Sequence, residues 1–209
     1  PRRASYRLCE YVVFGVDASL SMMQQVEEGL RQEPVRGVSA RVLCADFSGE
    51  MLAAAAEENE LLPEQLLQVI KDAAPQAAFL YESRKALLIQ VLSLADNAVE
   101  NGEELLLLTE TGNTRLSLAE SEMAQLLLEK GGEHTFLLDD GQITFRHCVV
   151  SLEAVGDGFA VTLTGQRRAG TAPVTRVQCE ALVQLCVQTI QHCWENGCDL
   201  FSLGAVQAL

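Results

Sequence analysis

The closing segment constrains this chain more than any other part. Residues 174–204 read VTRVQCEALVQLCVQTIQHCWENGCDLFSLG, with Val174, Val177, Ala181, Leu182, Leu185, Cys186, Ile190, Cys193 and Trp194 at mostly helical spacings. Arg176, Glu180, Gln184, Gln188 and Gln191 take the other faces. The pattern predicts an amphipathic helix of about six turns. Asn196-Gly197 supplies residues that tolerate the left-handed conformation in which helices often end, and the apolar run from Leu200 to Gly204 turns back. A one-sided helix is not stable alone in water, so its stripe must cover something.

The residues just upstream supply the surface. Residues 134–166 read as three short strands joined at Asp139-Asp140-Gly141 and Gly156-Asp157-Gly158, and Asp-Gly between alternating apolar runs is a strong hairpin signal. Strand 142–155 shows no clean face over its whole length, which predicts a bulge or a partly covered second face. The expectation is an antiparallel meander with the C-terminal helix packed across it.

Earlier in the chain the order is strand, helix, strand, helix. Residues 8–16 read as a strand, Asp17 or Ser19 can cap a helix to about Gln32 before Pro34, and residues 38–44 form a second strand. Ser48 can cap the alanine-rich helix that follows, and Pro63 sits in the first turn of a third helix that Pro75 closes. A helix is expected from about Leu80 to Val99, ending at Asn101-Gly102, and that dipeptide is taken as the boundary between domains. Leu105–Thr109 then opens the second domain, with a turn at residues 111–113. Ser117 with Glu120 reads as a capping box for a helix over 118–130. The segment 166–173, QRRAGTAP, is the most loop-like stretch and is expected to be mobile. The fold class expected is α+β in two subdomains: a strand and helix domain over 1–101, and an antiparallel sheet with helices over 102–209.

The apolar strand, the helix opened by Leu116-Ser117, the strands to Gln166, the long helix to Asn196 and the tail Gly197-Cys198-Asp199-Leu200-Phe201-Ser202-Leu203-Gly204 follow one another in an order that resembles the C-terminal domain of Ger(x)C proteins, the C subunits of spore nutrient-germinant receptors. Ser202 and Leu203 depart from that family's tail, where Gly and Phe are expected. Residues 12–34 and 39–56 resemble the family's middle region less specifically. The resemblance covers nearly the whole chain, by pattern more than by invariant motif. It implies a noncatalytic subunit that works beside integral membrane A and B subunits. It also implies an extracytoplasmic place at the spore inner membrane, through a lipidated N-terminus and a further domain that would precede residue 1. Cys9 does not follow an apolar leader and is not read as the lipidated cysteine.

Charge narrows the partners. Twenty-nine acidic against fifteen basic residues give a formal charge of −14, which repels phosphate backbones, so no nucleic-acid partner is expected. No stretch approaches the roughly twenty apolar residues of a membrane span. Seven cysteines leave at least one outside any intramolecular pair. Cys179, Cys186 and Cys193 stand seven apart on one helix, too far to bridge each other, and read as small core residues. His192, Cys193 and Cys198 make only a weak zinc constellation.

A second reading attaches to Asp17-Ala18-Ser19-Leu20-Ser21. D-x-S-x-S after an apolar strand resembles the metal-ion-dependent adhesion site of von Willebrand factor A domains, where Asp17, Ser19 and Ser21 would hold a divalent cation through oxygen. Glu110 stands where that family would place an Asp, and no loop Thr-Asp pair is evident. Helix capping is the plainer role for these residues. A cysteine nucleophile at Cys148 would need an imidazole within reach; His147 is its neighbour on a strand and points the other way. Dinucleotide, Walker, nucleophile-elbow and zincin motifs are all missing from the sequence, and neither a catalytic residue nor a cofactor is expected.

Overall fold

The computed structural model describes residues 11–31, 41–72, 86–128, 132–138, 141–156, 158–167 and 173–199. The chain forms two compact units, Pro1–Leu116 and Ser117–Leu209. Both mix helices and strands, as an α+β fold requires.

The first unit contains β1 (Tyr11–Gly15), α1 (Leu20–Arg31), β2 (Arg41–Ala45), α2 (Gly49–Glu58), α3 (Leu62–Asp72), β3 (Ala86–Ala95), β4 (Ala98–Thr109) and β5 (Asn113–Arg115). Its sheet has the order β1-β2-β3-β4-β5, with β1, β2 and β3 parallel and the last two pairs antiparallel. Ser19 accepts a hydrogen bond from the Met22 amide at the start of α1, and Ser48 does the same for Met51 at the start of α2. Each side chain satisfies an amide that the first helical turn leaves without a partner. Leu20 and Met23 of α1, Leu62 and Ile70 of α3, and Leu43, Ile89, Val91, Leu92, Leu106 and Leu108 of the sheet share one core.

The expected helix over 80–99 is replaced, in its described part, by the hairpin of β3 and β4. Ala95 pairs with Ala98 across a two-residue turn in which Asp96 and Asn97 have φ of 49° and 58°. Two positive φ values make the primed turn whose twist suits a hairpin. β3 is buried without a break from Ala86 to Leu92. A strand covered on both faces loses the alternation that marks strands, and its leucines and alanines then mimic a helix.

The boundary also moves. Asn101-Gly102 lies inside β4, and the division between units falls after Leu116. Opposite Val91 the β3–β4 register slips, with Leu92 facing Asn101 and Gln90 facing Leu105. Gly102 marks this bulge, and its carbonyl accepts a hydrogen bond from the buried Gln90 side chain.

The second unit holds α4 (Leu118–Leu128), β6 (Glu133–Leu138), β7 (Gly141–Val155), β8 (Gly158–Arg167) and α5 (Arg176–Glu195). Its three strands form an antiparallel meander in chain order. Ser117 and Glu120 make the expected capping box: the Glu120 amide donates to Ser117 Oγ, and the Ser117 amide donates to Glu120 Oε2 at 3.0 Å. Thr175 and Gln178 form a second capping box at the head of α5.

The uneven face of β7 has a local cause. Arg146 faces Gln166 and Val149 faces Thr164, so His147 and Cys148 together oppose Gly165. This is a bulge, with His147 left-handed at φ 52°. The extra residue reverses the inward parity: Ile143 and Phe145 point to the core before it, Cys148 and Val150 after it. Gly165 leaves the space, since a Cβ there would lie 3.0 Å from Cys148 Sγ. Glycine is the residue that adopts this bulge conformation at least cost. His147→Gly is therefore expected to stabilise the second unit by about 0.5 kcal/mol, read as a raised urea midpoint at unchanged slope.

On α5, Leu182, Cys186, Thr189 and Cys193 are buried at positions i, i+4, i+7 and i+11. Leu182 and Cys186 share a core with Met123, Leu126 and Leu127 of α4, Phe136 of β6, and Ile143 and Cys148 of β7. The closing helix thus shares its covering role with α4. Its buried stripe is narrower than the sequence suggests: Val177 is 65% exposed, Trp194 is 45% exposed, and Cys179 is exposed rather than core. The segments 139–140 and 168–172, the residue Asp157, and the tail from Leu200 lie outside the described residues, as do Cys9, Pro34 and Pro75.

Candidate functional site

Two polar constellations stand out, one in each unit. In the first unit the chain leaves β1 through Val16 and Asp17 and enters α1 at Leu20. Ser19 Oγ and Ser21 Oγ lie 3.0 Å apart, and Ser19 is the helix cap. Asp17 folds back on the strand, because a Cβ at Gly15 would fall 2.6 Å from Asp17 Oδ1. The structure thus brings Ser19 and Ser21 together and turns the Asp17 carboxylate onto Gly15.

The turn is held from an unexpected direction. Asn113, at the start of β5, donates from Nδ2 to the carbonyls of Val16 at 2.9 Å and Ala18 at 3.0 Å. In a flat sheet four strand steps would separate β5 from β1 by about 19 Å. The Asn113 side chain thus ties the turn after β1 to the strand at the other end of the sheet order. Asp46, just after β2, accepts from Ser93 at 3.0 Å and pairs with Arg115 at 3.5 Å. The Thr109 hydroxyl is taken up in its own turn, donating to the Gly112 carbonyl, and Glu110 is exposed.

No group of three or more His, Cys, Asp or Glu side chains is placed to hold a metal among the described residues. A melt in magnesium and a melt in chelator are expected to give the same Tm within about 1 °C, for the parent chain and for Asp17→Ala alike. A magnesium-dependent rise lost in Asp17→Ala would establish the cation site instead.

The second constellation radiates from α4. Its Glu120 and Glu122 each engage a histidine on a different element: Glu120 Oε1 accepts from His192 Nδ1 on α5 at 2.9 Å, and Glu122 Oε1 lies 3.1 Å from His134 Nδ1 on β6. The Thr135 amide also donates to Glu122 Oε1, at 3.0 Å. An ionised carboxylate only accepts, so both imidazoles carry their hydrogen on Nδ1. His134 is 3% exposed, and its Nε2 is buried with no hydrogen-bond partner among the described residues.

Partial burial acts to raise the Glu120 pKa, but hydrogen bonds from His192 and from the Ser117 amide and hydroxyl outweigh it, and the carboxyl sits below its ordinary value. A depressed folded pKa gives stability that is present above the unfolded pKa and lost as pH falls through the folded one. Glu120→Gln keeps the cap but not the charge. It is expected to cost roughly 1 kcal/mol at pH 7 and close to nothing at acid pH, which paired urea titrations at the two pH values would read.

Close to His192, the end of α5 brings two cysteines together. Cys193 is fully buried, and the half-buried Cys198 donates its amide to the Cys193 carbonyl at 2.8 Å. The Cys198 side chain as a hydrogen-bond partner, then burial, then the charges of Cys198 and Glu120 push the Cys193 thiol far up. Burial alone raises Cys44 to about 12 and Cys186 to about 11, so those two stay protonated and act as small apolar groups. Cys148 is likewise raised by burial, while its neighbour His147 is exposed on the bulge. The structure does not bring those two together.

Comparison with protein-family models, with curated proteins and with solved structures finds no match to this chain. No helix among the described residues is long and apolar enough to cross a membrane.

Neither histidine–carboxylate pair is visible in the sequence. His192 and Glu120 are 72 residues apart, and only the packing of α5 beside α4 joins them. The cysteine pair does carry a local signal, since Cys193 and Cys198 bracket Asn196-Gly197, the dipeptide that ends the helix.

Proposed function

We propose that this protein is the noncatalytic C subunit of a spore germinant receptor of the Ger(x)C type, or an ectodomain part of it. It would act in nutrient-triggered germination by contact with the integral membrane A and B subunits. It would sit outside the cytoplasm, tethered to the spore inner membrane through a lipidated N-terminus upstream of residue 1.

The order of elements from Leu105 to the Gly197–Gly204 tail supports the family reading. One structural observation supports a role through protein contacts: α5 carries a second apolar face. Val183, Val187 and Trp194 lie at i, i+4 and i+11, all exposed, with half-buried Ile190 between them. An amphipathic helix has no need of a second apolar stripe for its own core, and such a stripe with an aromatic anchor suits docking against another protein.

The test is co-purification with co-expressed Ger(x)C-partner A and B subunits from detergent-solubilised membranes. Val187→Asp with Trp194→Ser is expected to lower recovery at least tenfold while leaving the circular dichroism spectrum intact. Equal recovery of the parent chain with and without the membrane subunits would refute the receptor reading.

A further inference from the structure

The geometry points to Cys193 and Cys198 as a redox pair that closes an intramolecular disulfide across the end of α5. This inference is independent of the receptor reading, because it needs only the local geometry of the helix end.

The helix stops in a defined way. Gly197 is left-handed at φ 78°, its amide donates to the Trp194 carbonyl at 2.9 Å, and the Cys198 amide donates to the Cys193 carbonyl at 2.8 Å. These two bonds, five-to-two and six-to-one, are the Schellman arrangement, in which the residue after the glycine packs its side chain on the residue three before the cap. Usually both are apolar. Here both are cysteines, one fully buried and one half-buried. A direct backbone hydrogen bond between the two residues holds their Cα atoms close to the roughly 4.4–6.8 Å that a disulfide spans.

The other described cysteines lack this arrangement. Cys44, Cys148 and Cys186 are buried in core clusters, and Cys179 is exposed two turns from Cys186. The Asn196-Gly197 turn thus selects one pair from the set.

The two sulfurs also divide the work. Cys198 is half-buried and open to a small oxidant, whereas Cys193 is fully enclosed. With a low-molecular-weight disulfide as oxidant, the Cys198 thiolate attacks one of its sulfurs, forms a mixed disulfide and expels one thiolate. Once Cys198 is in the mixed disulfide its thiol no longer raises Cys193; Cys193 gives its proton to solvent, its thiolate attacks Cys198 Sγ, and the second small thiolate leaves and takes up a proton. The protein gives up two electrons, and one small disulfide becomes two thiols. The product is a six-residue ring that fixes Cys198 against the last turn of α5, directly beside Trp194.

The test uses the intact chain, fully reduced and then equilibrated with oxidised glutathione, denatured and alkylated with N-ethylmaleimide. The expected result is two fewer adducts than the seven that the reduced chain takes up. Cleavage after Glu195 by a glutamate-specific protease, between the two cysteines, should give fragments that stay joined until reductant is added. Cys198→Ser, at a half-buried position outside the helix, is expected to lose no further thiols to the oxidant and to give fragments that separate at once. Seven adducts after oxidation would overturn the inference, as would a linkage that pairs either residue with another cysteine or joins two chains.

Discussion

Phe136→Ala is expected to destabilise the second unit by about 4 kcal/mol, the largest effect of any single truncation there. Phe136 is 1% exposed, faces Ile143 across the β6–β7 ladder, and is the largest wholly buried side chain among the described residues. It is surrounded by the apolar residues of α4, α5 and β7 that make the unit's core, and a void left among them could collapse only in part. Trp194 is the only tryptophan and sits on α5, so fluorescence in a urea titration reports this unit. A loss below about 1 kcal/mol would mean that the helices do not close over the sheet as described.

Gly102→Ala is expected to cost the first unit about 3 kcal/mol, although it adds only one methyl group. The new Cβ would stand 2.6 Å from the Val91 carbonyl oxygen, a backbone atom of the neighbouring strand that cannot turn aside as a side chain can. The same shift would pull the Gly102 carbonyl from Gln90, whose amide is buried and would lose its acceptor. Circular dichroism in urea would read the change, with Ser93→Ala beside it as a mild control. If Gly102 ended a helix in the left-handed conformation, the same substitution would cost only about 1 kcal/mol, so the size of the loss separates the bulge from the helix end that the sequence suggests.

That contrast locates where the sequence is legible. Strong local signals mark the elements they announce: Ser48, Ser117 with Glu120, and Asn196-Gly197 all sit at the expected helix ends. The meander of β6 to β8 is legible because Gly141 and Gly156 punctuate alternating runs. Residues 86–109 mislead for a physical reason. β3 is covered on both faces and so carries no period, and its turn is Asp96-Asn97, without the glycine that advertises a hairpin. Once that stretch reads as a helix, Asn101-Gly102 looks like its end, and the domain boundary follows it. The polar pairs on α4 are beyond reach for another reason. Glu120 and Glu122 look like ordinary surface acids until two distant elements deliver a histidine to each.

The latch at Asn113 has a consequence for the order in which the molecule can be made. Its two hydrogen bonds span 97 and 95 residues of sequence, so no nascent chain that stops before residue 113 can fasten the turn after β1 in this way. β2 gains its second neighbour earlier, once β3 emerges, while β1 lies at the sheet edge with or without Asn113. A nascent chain stopped before β3 should therefore be sticky along β2, and one stopped just after β5 much less so.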